Sequence, residues 1–125
     1  MNYGEIFTKL SYETALIAFF KKDGSVRVML GTRNIKSAAL EYGSLGGLLA
    51  GHDNRCNIRN GNLAVVDLII GECRSFNVER LIKIHWFGEI DTQERYDEVL
   101  KEFRELKNSF DNQYNDAIMD LLTEK

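Results

Sequence analysis

The residues in this chain best suited to chemistry are arginines spaced around an aromatic. The segment GECRSFNVERL, Gly71 to Leu81, carries Arg74 and Phe76 two positions apart and follows them with Arg80. On a strand, that spacing puts Arg74 and Phe76 on one face. A guanidinium is planar and permanently charged, so it grips phosphate or carboxylate oxygens two at a time. An aromatic between two guanidiniums offers a surface for a base, and each such stack is worth about 1–3 kcal/mol in single-stranded complexes. Arg27 and Arg33, on the exposed face of an earlier strand, extend the patch. The candidate ligand- or nucleic-acid-binding residues are therefore Arg27, Arg33, Arg74, Phe76 and Arg80. The same residues also admit a structural role, with Phe76 in the core and Arg80 paired to Asp67 or Glu79 to hold the turn.

Other constellations fall short of a site. Gly46, Gly47 and Gly51 form a glycine-rich stretch, but no Lys-Ser/Thr follows, so it is not a phosphate-cradling P-loop. His52, Cys56, Cys73 and His85 are potential zinc ligands, yet none forms the close sequence pair that zinc sites use. A Cys56–His52 nucleophile would need an activated thiolate and an orienting third group, and Asp53, adjacent in sequence, is poorly placed to supply one. The expectation is a non-enzymatic protein with no catalytic residues, no metal and no cofactor.

Charge is unevenly distributed over the 125 residues. Residues 1–88 hold eleven basic against eight acidic side chains, a balance of +3, while residues 89–125 hold five against eleven, a balance of −6. The acidic pI of 5.4 argues against a dedicated duplex-DNA binder. It leaves room for a local basic patch, because the field at a site follows the distribution of charge. The two cysteines, Cys56 and Cys73, suit reduced thiols in a reducing cytoplasm. The N-terminal MNYGEIFTKLSYE lacks a signal peptide's basic start and apolar core. No apolar run approaches the roughly 20 residues of a membrane span. A cytoplasmic location is expected.

These side chains must be positioned by short strands. ETALIAFF and SVRVMLGT read as a hairpin through KKDG, with Gly24 in the turn. NLAVVDLII is apolar almost throughout, the pattern of a strand buried on both faces. CRSFN follows through Gly71, and LIKIHWF makes a fifth strand after VER, which is long enough for one helical turn. Val26, Val28, Leu30, Val66, Leu68, Phe76 and Ile82 are the expected core. Residues 4–10 form a short helix, and NIKSAALEYG, residues 34–43, another. A long stretch interrupted by glycine and asparagine, residues 44–61, precedes the third strand. From Tyr96 through Val99, Phe103, Leu106 and Phe110 to Leu121, apolar residues recur at steps of three and four on an acidic helix. Asp91 and Glu94 fit its capping box, and NSFDN is a weak point.

Helix, hairpin, long insertion, two strands, one helical turn and a last strand is the order of an Sm-like or SH3-like five-stranded small barrel, a mainly β fold with helices. Within it, NLAVVDLIIGECRSFNVERLIKI resembles the second half of the WYL domain, in which an arginine–aromatic strand runs into an R-[IL] turn. Arg74, Phe76, Arg80 and Leu81 fall on that pattern, although LAVVDL stands where the family's name motif would be. The chain looks like the short, single-domain, phage-encoded branch of WYL-like proteins. The resemblance spans roughly residues 13–87, and the expected organisation is a WYL-like small β-barrel domain over residues 1–88 with residues 89–125 as an acidic helical tail packed on the barrel or on a partner. It further implies a regulator that binds nucleic acid or a nucleotide-like ligand in the host cytoplasm, without membrane contact. The alternative is a protein–protein module that engages a host protein through the acidic helix or the long loop, or a second copy of itself through the helix.

Overall fold

The computed structural model describes residues 1–34, 49, 51, 53 and 55–123, with side chains up to residue 113. The helix expected over 34–43 lies outside these residues but for Asn34, as does most of the long insertion. Five strands form one antiparallel sheet: β1 (Thr14–Phe20), β2 (Val26–Thr32), β3 (Asn62–Asp67), β4 (Glu72–Asn77) and β5 (Leu81–Gly88). The spatial order is β4-β3-β2-β1-β5. Two helices are described along their full length, α1 (Tyr3–Leu10) and α2 (Gln93–Thr123), and Leu49, Gly51 and Asp53 are also helical. Among the described residues no helix is long and apolar enough to cross a membrane.

Local chemistry accounts for the elements. Asn2 caps α1 by accepting from the Glu5 amide (2.9 Å), and Glu5 and Lys9 lie at the ends where their charges suit the helix dipole. The β1–β2 hairpin closes through Gly24, whose φ of +86° favours glycine. α2 is capped by Thr92, whose hydroxyl accepts from the Arg95 amide (3.1 Å), one position later than the expected Asp91–Glu94 box. It continues through Asn108–Asn112 without a break.

The expected barrel is not closed, and this corrects the sequence reading. β4 and β5 are the sheet's two edges and do not pair with each other. The three residues Val78–Arg80 join them in one 3-10 turn, so the sheet must curl to bring β4's end near β5's start. Closure needs a continuous staggered ladder through every strand. Here β2 and β3 pair only at Gly31↔Asp67 and Thr32↔Val66, with one further bond from the Leu68 amide to the Leu30 carbonyl (2.9 Å). Val26–Met29 therefore runs on without β3 beside it, and the sheet splits into a β5-β1-β2 wing and a β3-β4 wing. Gly31 forms the hinge of close approach, because a Cβ there would meet Ile17 Cδ1 at 2.8 Å and Val65 Cγ2 at 3.3 Å.

Each face of the sheet buries a cluster. One gathers Ile17, Phe19, Met29, Val65 and Phe76 under Ile6 and Leu10 of α1. The other sets Leu16, Leu30, Val66 and Leu68 against Tyr96, Val99 and Phe103 of α2, with Leu106 and Phe110 partly buried beside them. The tail's apolar stripe is thus packed on the sheet. Of the expected core, Leu30, Val66, Leu68 and Phe76 are buried, whereas Val26 and Val28 are half-buried and Ile82 is 37% exposed. Ile82 lies on the free edge strand, where alternation does not secure cover on either face.

Candidate anion-binding site

The split between the wings opens two cavities that meet at Arg27. β2 presents Arg27 on the same face as Met29 and opposite Phe19. β4 presents Arg74 and Phe76 on that face as well, opposite Val65 and Leu63.

The first cavity, about 330 Å³, lies between the end of β1 and the end of β4. Lys21, Lys22, Arg27 and Arg80 supply its charge, and Phe19, Phe20 and Phe76 its apolar wall. Asn62, Ser75 and Asn77 complete the lining, with no carboxylate among the described residues. Among those residues none of the four cations lies within ion-pair distance of an acidic group. Asn77 is occupied in holding the corner: its Nδ2 donates to the Asn60 carbonyl (3.1 Å) and to Asn62 Oδ1 (3.3 Å), and its Oδ1 accepts from the Glu79 amide (2.9 Å). That network fixes the turn carrying Arg80.

The second cavity, about 340 Å³, lies where β2 passes the β3–β4 turn beneath α2. Arg27, Asp67, Arg74, Arg104 and Lys107 line it together with Val28, Met29, Ile69, Ile70 and Phe103. Arg74 Nε lies 3.5 Å from Asp67 Oδ2, and Asp67 Oδ1 accepts from the Ile69 amide (3.1 Å). Burial pushes the Asp67 carboxyl above its ordinary range, outweighing the opposing pull of the Ile69 and Ile70 amides and of Arg74 and Arg27.

The five residues singled out in the sequence are thus divided. Arg27 borders both cavities, Arg80 the first and Arg74 the second. Phe76 is 2% exposed and packs on Phe19 at 5.7 Å between ring centroids, so its face is not open to a base. Arg33 lies past the end of β2 and turns toward α1. Its guanidinium holds Asp53 with two bonds (2.9 and 2.8 Å), donates to the Ala64 carbonyl (2.7 Å) and lies 4.1 Å over the Phe7 ring. With 9% of its side chain exposed, Arg33 ties Asp53, β3 and α1 together.

Lys21, Lys22 and Phe20 escaped the sequence reading. Their signal is the run FFKK closing β1, an aromatic followed by two lysines at a hairpin tip. Phe20 is 41% exposed, in contrast to Phe76. Neither Cys56 nor Cys73 forms a disulfide among the described residues, and burial pushes Cys73 up, which disfavours its thiolate. His52 lies outside the described residues. Among the described residues no three potential ligands gather around a metal position. No family model, curated protein or solved structure matches this chain.

Proposed function

We propose that this chain is a non-enzymatic regulatory protein of the WYL-like, Sm-like/SH3-like kind, and that it binds nucleic acid or a nucleotide-like ligand in the first cavity. One observation carries the reading: four cations on three separate elements converge on a single cavity that has no carboxylate among its described lining residues. Like charges gathered around a wall that carries no carboxylate among its described residues repel one another, and an anionic ligand relieves that repulsion. Arg27 and Arg80 supply two-pronged contacts, while Lys21 and Lys22 act as point charges on the flank. Phe20, 41% exposed on the cavity wall, supplies the aromatic surface beside the cations that the buried Phe76 does not. The strand order and the single 3-10 turn between β4 and β5 support the Sm-like/SH3-like part of the proposal.

The test is fluorescence anisotropy of a labelled single-stranded deoxythymidine decamer, titrated with full-length protein over a series of salt concentrations. ATP as competitor separates a nucleotide site from a polymer track. Arg80→Gln and Lys22→Gln should each weaken binding and lower the salt slope by about 0.7 for each phosphate no longer neutralised. Affinity and slope unchanged in both variants would overturn the proposal.

A second reading has its own observation. α2 turns Glu94, Asp97, Glu98, Glu102 and Glu105 outward while its other side packs on the sheet. That acidic surface suits a basic protein partner, and co-purification that survives nuclease treatment would favour this reading.

A further inference from the structure

We propose that the second cavity is a separate site for a small organic anion with an apolar body, a single carboxylate, sulfonate or phosphate on an aromatic or short acyl framework. Its volume of about 340 Å³ falls in the small-molecule range. Five of its ten described lining residues are apolar, against three of ten in its neighbour. Met29 and Phe103, almost fully buried, form the base, while Ile69 and Ile70 stand at the rim, 45% and 43% exposed. Two adjacent isoleucines in a tight turn are unusual, since turns favour Gly, Asn, Asp and Ser, and their exposure is relieved by an apolar occupant.

The charge at the mouth selects an anion. Asp67 is the one carboxylate among the described lining residues, and it is engaged by Arg74 and the Ile69 amide. Lys107 is held by Asp111 at 3.2 Å. Arg27 and Arg104 have no acidic group within ion-pair distance among the described residues. The buried Nε of Arg74 faces Asp67 Oδ2 at 3.5 Å, an ion-pair contact without a completed hydrogen bond among the described residues. A polyanion would meet mostly hydrocarbon here, and a metal cation would meet mostly positive charge. One anionic group beside an apolar body satisfies both features.

The probe is 8-anilinonaphthalene-1-sulfonate, with N-phenyl-1-naphthylamine as the same framework lacking the sulfonate. Full-length protein should give saturable fluorescence with one sulfonate probe per chain, and the neutral probe should bind more weakly. Arg104→Gln and Ile70→Asp should each weaken sulfonate binding roughly tenfold, the effect expected of removing one charged or apolar interaction. The double variant Lys22→Gln/Arg80→Gln should leave it unchanged, so failure here is separable from failure at the first cavity. Both Arg104 and Ile70 are exposed, and circular dichroism checks that their variants stay folded. Unsaturable binding, equal binding of the two probes, or sulfonate binding unchanged in Arg104→Gln would overturn the proposal. So would a dimer of the native chain that Ile70→Asp converts to a monomer, because the isoleucines would then be covered by a second copy.

Discussion

Replacing Arg33 with alanine should unfold the chain more readily without touching ligand affinity. The substitution removes the donor from the Ala64 carbonyl (2.7 Å), in a residue 1% exposed, and stranding a buried acceptor costs about 1–3 kcal/mol. It also frees Asp53 from a two-pronged pair. That carboxylate is 38% exposed and regains water, so the pair counts at the surface level of about 1 kcal/mol or less. Loss of the cation over Phe7, at 4.1 Å, adds about 0.5–1 kcal/mol. The total is about 3 kcal/mol. With a urea slope of about 2 kcal/mol per molar, the midpoint should fall by about 1.5 M. Arg33→Lys keeps the charge but loses the fork and should show more than half of that fall. Urea unfolding followed by circular dichroism measures the stability, and decamer anisotropy in buffer measures the binding. A midpoint shift below about 0.5 M together with a marked loss of decamer affinity would show that Arg33 binds ligand and does not support the fold.

Three further outcomes are expected. Phe76→Ala should cost about 3–5 kcal/mol by urea unfolding, because its ring fills the interior against Phe19; a smaller loss accompanied by weakened decamer binding would return Phe76 to the ligand. Burial holds the Asp67 carboxyl above its ordinary value, so the native state binds that proton more tightly than the unfolded chain does. The resulting stability is fully present below the unfolded value and is lost as pH rises through the native one, so the native chain should lose stability relative to Asp67→Asn from about pH 4 upward. A native chain that instead gains stability relative to Asp67→Asn as pH rises would mean that the Arg74 ion pair outweighs burial. Deleting residues 91–125 should leave an aggregated or unfolded chain, because Tyr96, Val99 and Phe103 each contribute roughly 1.5–3 kcal/mol of burial against the sheet; recovery of a soluble, folded monomer would contradict this packing.

What the sequence made legible follows from where periodicity is strong. The hairpin through Gly24, the doubly buried β3 and the stripe from Tyr96 to Phe103 each rest on local patterns that tertiary structure preserved. Ile82 misled because an apolar residue on an edge strand obeys alternation without finding cover. The cap of α2 shifted to Thr92 because two neighbouring residues can serve and only the path of the chain selects one. Closure of the barrel depends on how far β2 and β3 pair, a long-range quantity with no local signature. The arginines divided for the same reason. Alternation set Arg27, Arg74 and Phe76 on one face, but the commitment of Arg33 depended on Asp53, twenty positions away. The depth of Phe76 depended on the curl that brings Phe19 against it.

The most direct test of the binding proposal is to cross-link the chain to a single-stranded decamer carrying 5-iodouracil and to identify the modified residue by mass spectrometry. A cross-link is expected at Phe20, on the wall of the cavity that Lys21, Lys22, Arg27 and Arg80 surround. It should disappear in Arg27→Gln/Arg80→Gln. Cross-links confined to α2 or to the surroundings of Arg33, or a Phe20 cross-link undiminished in the double variant, would contradict the proposal.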